Sequence, residues 1–483
     1  MAVSILVIDV GTTGLRAAIV TQGGAVEHLC YEKCPPTSPF PGLVEFDARA
    51  MADAVLRVAS SVLTESGPVD GVGITTQRAS TIMWDADTMQ PLAPGLGWQD
   101  LRTVGECISA RAEHGLILAP NQTATKAKWL LSNTAVTDRS RVRIGTIDSW
   151  VAAVLSGGAL HVTDHSNAAV TGLFTLDTMD WSPRICELMG VDVEMLPQIV
   201  PSSGVVGHAT ALPGSPPISC LIGDQQSSLV GQGCIAKGQT KITFGTGGML
   251  DVATGDTPPK SAQRSSGGTF PIVAHSSASR IAYGAEAIML SAGSNVEWLC
   301  EDLGLIDSPV DSDEVAASVA TTDGVVYVPA LLGLGTPQWD YGARGTLLGI
   351  TRGTTRAHIV RAVLEGIAHR GADLVEAARA DTGCSITALR IDGGMSRNAT
   401  FVQALANASG LPVEVSPVTE ATTLGAGFLA GVGVGTWKSL DDAVRTWSPR
   451  RVVAPNGQLD RETWRDALTR AAGWIPELSG LDF

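Results

Sequence analysis

The sequence predicts an α/β protein built from two related halves. Three observations carry that expectation. β-branched apolar runs alternate with segments whose apolar residues recur at helical spacing. Two strand–turn–strand units closed by glycine and threonine, one at the N-terminus and one near the middle, echo each other. The 483 residues amount to about three domains at ~150 residues each, enough for a large core. Apolar residues make up 44% and charged ones 17%, which excludes a disordered chain. The 33 Lys+Arg against 48 Asp+Glu give a formal charge of -15. That balance points away from nucleic acid or an anionic membrane as main partner, because phosphate backbones select Lys/Arg excess.

The elements follow in order. Ser4–Val10 is a β-branched run that stops at Gly11-Thr12-Thr13-Gly14, and 15–20 follows at once, so a hairpin is expected. Gly23-Gly24 turns the chain again. Asp47 suits the cap of a helix whose apolar positions are Met51, Ala54, Val55, Val58 and Val62. Residues 69–75 read as the next strand. A polar Pro/Gly/His-rich stretch precedes a buried-type strand at 218–222. The second hairpin is 241–244, the turn Gly245-Thr246-Gly247-Gly248, then 249–253. We place a domain boundary near residue 250, giving domains of 1–250 and 251–483. The second half holds a strand at 324–329 and an amphipathic helix at 356–380, with Ile359, Val360, Val363, Ile367, Leu374 and Val375 on its apolar side. A strand at 388–391 ends at Asp392-Gly393-Gly394, and a helix starts near Asn398. Residues 422–435 are a small-residue helix, and the chain from Trp437 onward reads as a polar peripheral cap.

The eight cysteines are scattered and form no C-x-x-C, so reduced structural thiols are expected rather than a disulfide framework or zinc site. The N-terminus lacks a basic n-region and a cleavage site, and no run of ~18 apolar residues spans a bilayer. The expected location is cytoplasmic, without a membrane partner.

Five clusters carry candidate chemistry. Gly11-Thr12-Thr13-Gly14 offers backbone N–H groups and hydroxyls to an anion, with Arg16 as a cation and Asp9 as a water-mediated Mg²⁺ holder. An ordinary hairpin turn explains it equally. Gly245-Thr246-Gly247-Gly248 repeats the pattern, and a nucleotide polyphosphate between two hairpins explains both economically. Gly393-Gly394 at a strand end admits a flat ligand, with Asn398 either reaching a base or ribose or capping a helix. Asp224, after a buried strand, is either a base for an attacking hydroxyl or a helix N-cap. Gln77, Arg78, Trp98, Gln99 and Asp100 suit a polyhydroxylated substrate, unless Arg78 and Asp100 merely pair. There is no G-x-x-x-x-G-K-[ST], H-E-x-x-H, G-x-S-x-G or helix-opening G-x-G-x-x-G.

These residues resemble the FGGY carbohydrate kinases, closest to the glycerol kinase branch. The resemblance runs collinearly from about residue 3 to 437. It rests on Asp9-Val10-Gly11-Thr12-Thr13, Gly73-Ile74-Thr75-Thr76-Gln77-Arg78, Trp98-Gln99-Asp100, Gly223-Asp224-Gln225-Gln226, Gly245-Thr246-Gly247, Asp392-Gly393-Gly394 and Thr423-Leu424-Gly425-Ala426-Gly427. It implies two actin-like (ribonuclease H-like) ATPase domains with ATP in the cleft between them. By the same resemblance Thr12, Thr13 and Arg16 bind phosphate and Asp9 associates with Mg²⁺. Asp224 is the general base, and Gln77, Arg78, Trp98 and Gln225 belong to the substrate site. Thr246, Gly293, Gly394 and Asn398 contact nucleotide, and Glu297 stands where the branch has a glutamine.

Two departures bear on substrate. Glycerol kinases carry Gln-Arg-Glu-Thr where this chain has Gln77-Arg78-Ala79-Ser80, and a tyrosine where Asn121 stands. Losing that acceptor and that ring enlarges the expected pocket, so a tetritol, pentitol or ketopentose is favoured over glycerol. The alternatives are a true glycerol kinase, a catalytically silent nucleotide-binding regulator, and an actin-like chaperone or filament ATPase. The last leaves the Gln77/Arg78/Trp98 cluster unexplained. The expected assembly is a homodimer or homotetramer.

Overall fold

The computed structural model describes residues 4–260 and 263–480. Two mixed sheets organise it. The first has six strands in the spatial order Ser203–His208, Pro217–Gly223, Gly71–Thr76, Ser4–Val10, Gly14–Thr21, Val26–Lys33. The second has seven: Phe270–Ser277, Arg280–Met289, Gly248–Gly255, Thr240–Phe244, Leu389–Asp392, Val413–Val415, Arg451–Val453. The echo between the two hairpins extends through both sheets. In each, the hairpin gains a third antiparallel strand on one side. On the other side it gains two parallel strands and an antiparallel edge. The parallel strands end at Thr76, Gly223, Asp392 and Val415, and open α/β sheets bind ligands at such carboxyl ends.

Local sequence explains the covering helices. Asp47 accepts from the Arg49 and Ala50 N–H groups and caps Ala48–Ser66, whose buried face carries Met51, Ala54, Val55, Val58 and Val62. Arg356–Thr382 lays Val360, Val363, Leu364 and Ile367 into the core of the second sheet.

The sheets part between Gly223 and Thr240, so the whole second hairpin belongs to the second sheet. A boundary at 250 would cut that hairpin, whose strands hold each other by antiparallel pairing. The small-residue helix Ala421–Gly433 returns to the first sheet, where Leu424, Phe428 and Leu429 pack with Ile5, Val7, Val20 and Ile222. It meets the helix Asp224–Gly231 backbone to backbone. A Cβ on Gly425 would collide with the Ser227 carbonyl, and one on Gly231 with that of Ala421.

The chain after Trp437 is not peripheral. Arg451–Val453 closes the edge of the second sheet. Helix Arg461–Ala471 buries Trp464 completely, and that ring stacks on His369 at 4.8 Å. The polar pattern of this segment hid a buried face of Trp464, Ala467, Leu468 and Ala471.

Candidate active site

The first hairpin turn is tied to the loops that carry Trp98 and Gln77. Asp9 lies opposite Arg16 in the strand register. The Arg16 Nε is 3.5 Å from Asp9 Oδ2, and its Nη1 pairs with Glu420. Trp98 Nε1 donates to Thr12 Oγ1 at 3.1 Å, and Gln77 Nε2 donates to the Gly11 carbonyl at 3.2 Å. Thr13 is exposed. Burial pushes the Asp9 carboxyl up to about 6, against the Arg16 guanidinium and with the Asp224 charge.

Asp224 is not an N-cap. Gly223 takes that place and Asp224 opens the first turn of Asp224–Gly231. Its Oδ1 accepts from the Gln225 N–H at 2.8 Å, leaving carboxylate capacity for a ligand. Burial raises its pKa, and the Arg78 guanidinium, with Nε 3.6 Å away, opposes that rise. Arg78 also donates through Nη2 to Glu286 at 2.7 Å, which links the first sheet's loop to the second sheet. Glu286 neighbours Asp251 in register, and Asp251 neighbours Lys241. Lys241 Nζ lies 2.7 Å from Asp251 and donates to Gln225 Oε1 at 2.7 Å. The charges thus run in a ring from Asp224 through Arg78, Glu286, Asp251 and Lys241 back to Gln225.

Arg78 and Asp100 do not pair. Asp100 accepts instead from Arg102 Nε and Nη2, both at 2.8 Å, and from the Val44 N–H. Asp100 is therefore a loop anchor. Ala79 holds φ of 62°, a left-handed conformation that L-residues adopt at a cost. Its carbonyl accepts from Thr81, Thr123 and Lys126. Lys126 Nζ also reaches the Asn121 carbonyl at 2.8 Å, so the buried lysine joins the two positions where the sequence departs from the glycerol kinase pattern. Burial pushes its ammonium down to about 7, against the Asp100 charge.

In the second half of the chain, the Ala292 and Gly293 N–H groups donate to the Thr246 and Gly245 carbonyls, each at 2.8 Å. A Cβ at Gly293 would strike the Gly245 carbonyl, whereas Gly245 and Gly394 face open space. Glu297 is exposed on the helix Gly293–Glu301. Asn398 caps the helix Ala399–Ser409: its Oδ1 accepts from Phe401 N–H and its Nδ2 donates to Ser312 Oγ. The helix-cap alternative describes this side chain, and both its amide ends are occupied.

Two family models match, the N-terminal domain of the FGGY family of carbohydrate kinases over residues 4–231 and its C-terminal domain over 240–434. The chain belongs to that family. It is a sugar or polyol phosphotransferase of the two-domain, actin-like kind. It is 38% identical over 489 residues to a glycerol kinase of Gloeobacter violaceus, covering 98% of this chain and 97% of that protein. A glycerol kinase of Thermus thermophilus is 37% identical, covering 96% and 98%. The crystal structure of Plasmodium falciparum glycerol kinase with ADP superposes with TM-score 0.90 at 28% identity, over 97% and 98% of the two chains. A xylulose kinase of Lactobacillus acidophilus shares the fold, with TM-score 0.84 at 22% identity over 98% and 97%.

Four charges that no motif marks stand beside the motif residues: Lys241, Asp251, Glu286 and Glu420. Lys241, Asp251 and Glu286 are buried charges within β-strands, which is the signal a sequence offers for them. Among the described residues no group of three or more His, Cys, Asp or Glu could by itself hold a metal. The donor set fits Mg²⁺ brought with phosphates, which takes one or two carboxylates and keeps water. Asp9 supplies such a carboxylate, buried at the end of its strand with one oxygen 3.5 Å from Arg16.

Proposed function

We propose that this FGGY kinase transfers the γ-phosphate of ATP to a hydroxyl of a tetritol, pentitol or ketopentose. The carrying observation is Asp224, a half-buried carboxylate with Arg78 3.6 Å away, at the first turn of a helix following a parallel strand. Asp224 accepts the proton of the attacking hydroxyl. Gln225, Arg78, Gln77 and Trp98 orient the substrate. Thr12, Thr13 and Arg16 offer donors and a cation to the transferring phosphoryl oxygens. Thr246, Gly293, Gly394, Asn398 and Glu297 line the nucleotide side, and Asp9 would hold Mg²⁺, which when bound neutralises phosphate charge. Asn398 does so while keeping its cap.

The larger substrate is supported by Ala79 and Asn121, which replace an acid and a phenol. A site that has lost a hydroxyl acceptor loses selectivity for the small triol. A cytoplasmic setting agrees with eight unpaired cysteines. A coupled ADP-release assay over glycerol, tetritols, pentitols and ketopentoses tests the reading. The expected result is a higher kcat/KM on a four- or five-carbon compound than on glycerol. The full-length similarity to glycerol kinases favours a second reading, glycerol itself, which would be established by glycerol outperforming every larger compound. Absence of turnover on the whole panel would overturn both substrate readings.

A further inference from the structure

Lys241 sits in the middle of the charge ring and no role in the transfer has been given to it. It is fully buried on Thr240–Phe244. Its Nζ contacts Asp251 Oδ2 at 2.7 Å, Gln225 Oε1 at 2.7 Å and Thr243 Oγ1 at 3.0 Å. It donates to Gln225 and Thr243 and forms an ion pair with Asp251. The Gln225 carbonyl oxygen is thereby occupied. Turning the amide over would set its NH₂ against an ammonium, so its orientation is fixed. What Gln225 has left is a donor. Arg78 is fixed similarly: Nη2 goes to Glu286, while Nη1 is a buried N–H without a partner.

We propose that Lys241 is a positioning and specificity-determining residue, locking the Gln225 amide so that its NH₂ reads an acceptor oxygen on the substrate beside the reacting hydroxyl. The inference rests on the reading of Gln225 as a substrate contact. A hydroxyl or a carbonyl at that place satisfies the donor, and a methylene leaves it unpaired, which a site built for a hydrogen bond rejects strongly. The lock is built from neighbouring strands of the second sheet, so it holds Gln225 at the cleft from outside the helix that carries it.

The test begins with wild-type turnover on glycerol, erythritol, xylitol and xylulose, the best of which is used for the variants. Lys241→Met alone strands the buried Asp251 and risks unfolding. The double variant Lys241→Met/Asp251→Leu replaces the ion pair with apolar groups of similar size, a change that folds tolerate. Gln225→Glu keeps an oxygen for Lys241 but removes the NH₂. In both variants the substrate KM is expected to rise about tenfold or more, the loss of one oriented hydrogen bond. KM should change more than kcat, with the KM for ATP and the thermal midpoint held. An unchanged substrate KM in the folded double variant overturns the proposal. So does a parallel change in melting and in the KM for ATP, which is what a merely structural lysine would give. Wild-type inactivity on all four compounds overturns the substrate reading, and this inference with it. Activity with an unmoved KM overturns this inference alone.

Discussion

At the residue scale the decisive group is Asp224. Asp224→Asn is expected to abolish turnover while leaving nucleotide binding intact, measured by steady-state kinetics and by calorimetry with ADP. As the proposed base Asp224 works ionised, and burial raises its pKa while Arg78 and Lys241 oppose and Glu286 adds to the rise. Activity therefore falls as pH drops through a value above that of an ordinary aspartate. Glu286→Gln removes a like charge, so the acid limb of kcat/KM is expected to move to lower pH, read from a full pH profile. Asp224, Arg78 and Gln225 were legible in the sequence because they stand in motifs at strand ends. Lys241, Asp251 and Glu286 were not, because they lie one per strand, in runs such as Thr240–Phe244 that otherwise read as ordinary buried β-structure. Only pairing in register makes them one network.

At the element scale, backbone contact between Asp224–Gly231 and Ala421–Gly433 sets where Asp224 stands. Gly425→Ala is expected to cost about 1–3 kcal/mol by overpacking and to lower kcat, checked by urea unfolding and assay. The two helices are far apart in sequence. The glycine density at 425–433 announced close packing but not its partner. The C-terminal helix Arg461–Ala471 makes the opposite case. Its polar face dominates the pattern, yet Trp464 is wholly buried and its Nε1 donates to Asp373 Oδ2 at 3.1 Å. Trp464→Ala is expected to cost about 3–5 kcal/mol, as removal of a large core aromatic does, measured by chemical denaturation.

At the scale of the whole molecule, two sheets of matching topology are joined by polar ties between the halves. One is Arg78 to Glu286. Another is a buried latch: the Ser202 N–H donates to Ser276 Oγ at 2.9 Å, the Ser276 N–H donates to Ser202 Oγ at 3.0 Å, and Ser202 Oγ donates to Asp164. Ser276→Ala strands the Ser202 N–H, and a loss of about 1–3 kcal/mol is expected from a buried donor left unsatisfied, read as a shift of the denaturation midpoint. No motif marks these serines, because their partners come from different halves of the chain. The sequence by itself determined the α/β class, the two hairpins, the phosphate-type turns and the family, since these depend on local runs, turn chemistry and collinear motifs. The tertiary structure alone decided where the sheets divide, that Asp224 is not spent as a cap, that Asp100 serves Arg102, and that Lys241 holds Gln225. The physical reason is the same throughout: a side chain's role is fixed by which of its hydrogen-bonding atoms are already taken, and the atoms that take them are distant in the chain.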